Sequence, residues 1–351
     1  MPEVMQFVPI LAVGFAMALG LTPLSRQIAM RLGVVDKPNQ RKIHLDHKPL
    51  MGGLAIYVAL ALAVMLFSPP RHLRELGAVL AGAAALALMG LLDDRYGLSA
   101  RLRLGVQALA ALGLVAFGIR MNLTGLLLPD AALTVLWVVA LTNAANFMDN
   151  MDGLTAGFSA VAAFFFLVIA ITQGLSLVSS LAAALLGSAL GFLVYNFNPS
   201  STFMGDMGAL PLGFILGVLA LKIQFEQPFS VYWLGPVLVL ALPLFDITLV
   251  VVTRLLEGRS PAQAGKDHTS HRLMSLGFSQ RQTLFLLGLA CVLFGALGFL
   301  VSATPPDIAL KLGAFGLLLL AALFALMMWV RRRFQQPALA PADASLVRPS
   351  R

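Results

Sequence analysis

Apolar residues run through this chain in long, nearly uninterrupted blocks, not in the alternation of a half-buried strand or the one-sided stripe of a surface helix. Blocks of about 16 to 22 residues match the length a helix needs to cross a bilayer. They centre on residues 6–24, 50–67, 76–92, 104–118, 131–148, 153–173, 176–194, 207–225, 232–253, 282–301 and 309–330. The pattern predicts an all-α polytopic membrane protein with about eleven transmembrane helices. The block 104–118 is short and is expected to tilt or to extend through Arg120. No fixed period recurs, so residues 1–334 read as a single transmembrane domain whose site must be assembled between helices. Residues 335–351, rich in Ala and Pro and without a periodic apolar face, read as a disordered tail.

Composition excludes the soluble alternative, because 351 residues at 59% hydrophobic and 11% charged could not hide their apolar surface from water. The charges are also unevenly placed. Lys and Arg number six in 25–49, three in 93–103, five in 254–281 and five in 331–351, whereas the other side holds only Arg71, Arg74, Arg120, Lys222 and Lys311. Positively charged loops stay in the cytoplasm, so the N-terminus is expected outside and the C-terminus inside. The net charge of +8 lies in juxtamembrane loops, such as Arg331-Arg332-Arg333 directly after a span. It therefore points to anionic membrane lipid and not to nucleic acid. Cys291 is the single cysteine, which excludes an internal disulfide or a thiolate metal site. The first span starts at residue 6 without a charged leader or a small-residue cleavage site and reads as a retained helix. The longer inner loops hold most polar residues, which points to chemistry at the inner face. The chain is compatible with a homodimer, and nothing in it sets the oligomeric state.

Carboxylates are costly in hydrocarbon, and here they gather where apolar blocks end. Asp93-Asp94 closes the third block, and LSARLR follows, offering Arg101 and Arg103 to a lipid phosphate. Alone, the pair would read as solvated loop acids; beside a cationic loop, adjacent carboxylates suit a phosphate or divalent-cation site. In NAANFMDNMDG, Asn143, Asn146, Asp149 and Asp152 recur every third residue along one helical stripe, and Gly153 permits a turn. Oxygen donors of this kind suit Mg²⁺, with Mn²⁺ as an alternative, and inter-helix hydrogen bonding by the asparagines is the structural alternative. The Gly205-Asp206-Met207-Gly208 run lets backbone approach a phosphate while Asp206 reaches a metal, and Phe203 could stack on a base. In GKDHTSHRLMSLG, His268 and His271 lie three apart beside Asp267 and Arg272, a set better suited to phosphate and sugar than to zinc. Asp246 precedes Arg254 by eight residues, about 12 Å along a helix, and should face the bundle interior.

The motifs DKPNQRKIH…KPLMGGLAIY, LLDDRYGLSARLRL, NAANFMDNMDGL, YNFNPSSTFMGDMGALPLG and KDHTSHRL, in this order between about residues 30 and 280, resemble the polyprenyl-phosphate N-acetylhexosamine-1-phosphate transferases. That family includes the undecaprenyl-phosphate GlcNAc-1-phosphate transferases and the phospho-MurNAc-pentapeptide translocase. The resemblance implies a bacterial inner-membrane enzyme with a cytoplasmic-face site, where the phosphate of undecaprenyl phosphate attacks the β-phosphate of a UDP-sugar. The products would be the lipid-diphospho-sugar and UMP, starting a cell-envelope glycan such as cell wall or O-antigen. By the same resemblance, Asp93 deprotonates or positions the lipid phosphate with Asp94 beside it. Asn146 and Asp206 hold Mg²⁺, and Asp149 supports that shell. Asp152, Asn196 and Phe203 bind uridine, and His268 and His271 contact the diphosphate or sugar.

Two departures bear on these expectations. Relatives that use GlcNAc often carry His-x-His-His, where this chain reads His268-Thr269-Ser270-His271, so Ser270 is expected to shape the sugar pocket. Arg101 stands where many relatives have Lys, keeping the charge but not the compact ammonium. The His-rich run of the translocase branch is absent, which favours the hexosamine branch. A lipid or sugar transporter or flippase is the main competing reading, but it should show repeated halves and midplane charges. A silent scaffold would not need the acidic set.

Overall fold

The computed structural model describes residues 2–36, 48–67, 72–223, 230–263 and 265–334. Residues 37–47, which include all of the DKPNQRKIH stretch except Asp36, and the 335–351 tail lie outside the described residues. Among those described, the chain forms α1 (Pro2–Met5), α2 (Val8–Leu32), α3 (Gly52–Phe67), α4 (Leu73–Tyr96), α5 (Ala100–Ala116), α6 (Leu127–Met148) and α7 (Leu154–Thr172). It continues through α8 (Ser176–Asn196), α9 (Asp206–Lys222), α10 (Leu234–Val239), α11 (Ala241–Leu256), α12 (Thr269–Ser275), α13 (Gln280–Ala303) and α14 (Pro306–Phe334). Strands β1 (Val35–Asp36) and β2 (Lys48–Pro49) pair antiparallel beside α2 and α3.

Among the described residues, seven helices, α2, α4, α6, α7, α8, α13 and α14, are long and apolar enough to cross a membrane, and α10 with α11 makes an eighth if the bent pair is one span. The protein is thus an all-α, multi-pass membrane protein. The shorter α3, α5 and α9 occupy the other three apolar blocks, so each predicted block falls on helix. The block 232–253 departs from its expected form, since α10 and α11 meet at 80°. Pro243 explains the break. It lacks an N–H and its ring crowds the carbonyl four residues back, on Val239, where α10 ends.

Helix α9 is buried all round from Met207 to Leu221, which places it at the bundle centre. It runs antiparallel to α4: Lys222 Nζ pairs with Glu75 at 2.6 Å at one end, and the Asp206 N–H reaches Asp94 at the other. Nineteen residues separate Glu75 from Asp94, about 28 Å of helix, close to the thickness of a hydrocarbon core. Small residues let these backbones touch. A Cβ on Gly90 of α4 would strike the backbone of Asp206, and one on Gly53 of α3 would strike Gly208. The N-terminal end of α9 is therefore pressed against the start of α3 and the end of α4.

At the same end, the loop before α12 is anchored by ions. Asp267 accepts from Arg254 Nε at 3.0 Å and Arg259 Nη2 at 2.7 Å, with Arg331 of α14 at 3.3 Å. Burial pulls the Asp267 carboxyl up, but the arginines outweigh this and hold it at about 2. Fully buried Arg272 donates to the Asp267 carbonyl, the Met327 carbonyl and Thr253 Oγ1, tying α11, α12 and α14 together.

Candidate active site

Three helix ends converge at the centre of this face. Asp93 and Asp94 occupy the last turn of α4, Asp206 opens α9, and Asn146 and Asp149 end α6. Asp94 accepts from the backbone N–H of Asp206 at 3.2 Å and of Met207 at 3.3 Å, a carboxylate seated on a helix N-terminus. Asn146 Nδ2 donates to Asp206 Oδ1 at 2.6 Å. Arg103 Nη1 bridges Asp93 Oδ2 at 2.6 Å and Asp206 Oδ2 at 3.7 Å, and the Leu98 N–H donates to Asp93 Oδ1 at 2.6 Å. Gly205 makes the approach possible: its φ is 68°, and a Cβ there would strike the Leu50 carbonyl and Asp94 Oδ2.

Among the described residues, four carboxylates thus gather here while Arg103 pairs with two of them, Asp93 and Asp206. Burial first, and then the charge of Asp206, push the Asp149 carboxyl up to about 7. A divalent cation would relieve that crowding, and the donors are all oxygens, which fits Mg²⁺. No group of three acidic, His or Cys side chains is arranged as a finished metal cage among the described residues.

The stripe expected from the spacing of three divides. Asn143 turns away to Gln107 of α5, at 2.6 Å, and clamps the two helices. Helix α6 stops at Met148 and Gly153 is left-handed, so Asp152 leaves the stripe. Asp152 accepts instead from Ser200 N at 3.0 Å, Ser200 Oγ at 2.9 Å and Asn198 Nδ2 at 3.2 Å, with Lys48 at 4.0 Å. Lys48 Nζ also stands 4.8 Å from the centre of the Phe203 ring. Asn196 is buried, accepts from the Gly153 N–H and donates to the Thr202 carbonyl, so it shapes this loop and does not point outward.

The histidines stand on the other side of the α6 end. His268 packs edge-on against Phe147 at 5.9 Å and against His271 at 6.0 Å. Burial, then the neighbouring His268, lowers His271 to about 4, so it is neutral at pH 7. Asp246 reaches His268 Nδ1 at 2.8 Å. Ser270 corrects an expectation: it is 1% exposed and its hydroxyl donates to Asn150 Oδ1 at 2.6 Å, latching α12 to the α6–α7 turn. Ser270→His should therefore force these elements apart, costing about 1–3 kcal/mol. Thermal melting and a UDP-sugar panel should show lower stability with every donor slowed alike and no change of preference.

Residues 76–224, which include the α4, α6 and α9 ends, match the family model described as glycosyl transferase family 4. The chain is 35% identical over 283 residues to the "Probable undecaprenyl-phosphate N-acetylglucosaminyl 1-phosphate transferase" of Bacillus subtilis (strain 168), covering 78% of this chain and 79% of the relative. The chain belongs to glycosyl transferase family 4. It is also 32% identical to the decaprenyl-phosphate N-acetylglucosaminephosphotransferase of Mycolicibacterium smegmatis, over 77% of this chain and 76% of that one. The undecaprenyl-phosphate alpha-N-acetylglucosaminyl 1-phosphate transferase of Escherichia coli K12 is 28% identical, over 79% and 78%.

In this family 4 chain the structure brings Asp93, Asp94, Asn146, Asp149 and Asp206 into one cluster, with Asp152 and Phe203 in a second and His268 and His271 in a third. Arg101 joins none of them: it is exposed, and Arg103 is the arginine that turns inward. Residues two apart on a helix point about 200° apart, so only one of the pair could do so. Lys48 is the cation that the sequence reading left out, and its signal was its place in the KPLMGG motif. Arg103→Ala is expected to lower transfer about 10²-fold, while Arg101→Ala stays within about threefold, measured as product formed by purified protein.

Proposed function

We propose that this membrane transferase moves an N-acetylhexosamine-1-phosphate, GlcNAc-1-phosphate by default, from a UDP-sugar to undecaprenyl phosphate. The lipid phosphate oxygen forms a bond to the β-phosphorus as the bond to UMP breaks, leaving lipid-diphospho-sugar and UMP. The observation that carries this reading is the convergence of Asp93, Asp94, Asp149 and Asp206 with Asn146 and Arg103 at one end of the bundle. Phosphoryl transfer needs positioning and charge neutralisation more than covalent help from the protein. Arg103 would meet the incoming lipid phosphate, and Asp93 would orient it and take its proton. Asp206, Asn146 and Asp149 would hold Mg²⁺, or Mn²⁺, which supplies positive charge to the diphosphate. Asp152, Phe203 and Lys48 would take the uridine, and His268 and His271 the diphosphate or sugar. The names of the relatives support the lipid and sugar classes.

The positive-inside bias supports a cytoplasmic-facing site in the bacterial inner membrane, eleven crossings and termini on opposite sides. The transporter reading is set aside, since the relatives are named as transferases and the acidic set lies at one face. Release of UMP from a panel of UDP-sugars, dependent on both undecaprenyl phosphate and Mg²⁺, is the test. Purified, folded protein that releases no UMP with any donor would overturn the proposal.

A further inference from the structure

Asp246 lies in α11, eight residues and so about 12 Å along the helix before Arg254, and is 1% exposed. A carboxylate so placed is costly unless its oxygens are satisfied. Its three donors come from one dipeptide: His268 Nδ1 at 2.8 Å to Oδ2, and the Thr269 N–H and Oγ1, both at 2.7 Å, to Oδ1. Among the described residues no guanidinium joins them: Arg254, Arg259 and Arg331 go to Asp267 and Glu257, and Arg272 goes to Thr253 and backbone carbonyls. The loop is therefore already anchored by Asp267. What Asp246 adds is a hold on one imidazole.

We infer that Asp246 is a positioning residue that fixes the rotation and tautomer of His268, leaving Nε2 as the ring nitrogen presented to a phosphate of the diphosphate donor. The inference rests on the transferase reading above. A carboxylate accepts but cannot donate, so Nδ1 must carry a proton and Nε2 is left to meet the ligand. Phe147 packs edge-on against the same ring at 5.9 Å, and it stands between Asn146 and Asp149 at the end of α6. The imidazole thus touches both the buried carboxylate and the helix end that carries the proposed metal residues. An amide at 246 would have one acceptor for three donors, and its NH₂ could face Nδ1, which favours the other tautomer.

Two measurements on the purified full-length protein test this. The first is a cycle of Asp246→Asn, His268→Ala and the double variant, read as kcat and KM for UMP release with thermal stability followed in parallel. Asp246→Asn should lower kcat about 10²-fold with KM for the donor within about threefold. In the His268→Ala background it should cost less than about threefold more, because the group it acts through is gone. Losses that multiply, or an Asp246→Asn rate within threefold of the parent, would overturn the inference. The second needs neither turnover nor a folded Asp246 variant. Imidazole nitrogen NMR of the parent, which has five histidines, assigned with His268→Ala, should show the His268 Nδ1 protonated at pH 8. A bare Nδ1 with the proton on Nε2 would overturn it. If the parent turns over no UDP-sugar while Nδ1 is protonated, the transferase reading fails and the Asp246–His268 geometry stands.

Discussion

Replacing Asp206 with Asn is expected to lower turnover about 10³-fold while leaving the folded protein as stable as the parent or more so. The loss follows from charge: a carboxylate gives a divalent cation a full negative partner that an amide lacks, and about 4 kcal/mol of transition-state stabilisation corresponds to that factor. The retained stability follows from the same geometry. Asn146 can still donate to an amide oxygen at position 206, the bond that now measures 2.6 Å. Removing one of four crowded carboxylates, Asp93, Asp94, Asp149 and Asp206, relieves their mutual repulsion. UMP release and thermal melting of the detergent-purified variant, with and without Mg²⁺, would check both halves. Near-parental turnover would remove Asp206 from the metal role, and unfolding would mean the carboxylate serves the structure instead.

Asp93→Asn should depress turnover about 10²- to 10⁴-fold even when UDP-sugar and lipid phosphate are both saturating, because neither substrate replaces a missing base or orienting group. The structure sharpens this expectation. Asp93 already engages Arg103 at 2.6 Å and closes the end of α4 through the Leu98 N–H, so the Asn variant keeps the second bond and loses the charge that holds the guanidinium. If raising the lipid phosphate alone restores the full rate, Asp93 binds the acceptor and takes no part in the chemical step. Arg103→Ala offers the comparison: a residue that only meets the lipid should raise its KM more than it lowers kcat.

Helix content, apolar blocks and the acids at their ends were legible because each follows from a local cost. About twenty apolar residues suit hydrocarbon whatever surrounds them, and a carboxylate is driven to a helix end or to a partner. The order of the motifs carried the family for the same reason, since each motif is contiguous. Local signals could not choose between Arg101 and Arg103, because both are cations near one loop and only the rotation of α5 against α4 turns Arg103 inward. They could not see that Ser270 is spent on Asn150, 120 residues away, or that Asp246 grips His268.

Pro243 did mark the break at Val239, yet hydropathy averages over a window and passed across it. What the chain determines by itself is therefore which segments are apolar enough for a membrane and which charges stand at their ends. What only tertiary structure decided is which of those charges meet. That depends on how far antiparallel helices slide and turn against one another. Here contacts as small as Gly90 on Asp206 and Gly53 on Gly208 set the register, and these are pairings between residues far apart in the chain.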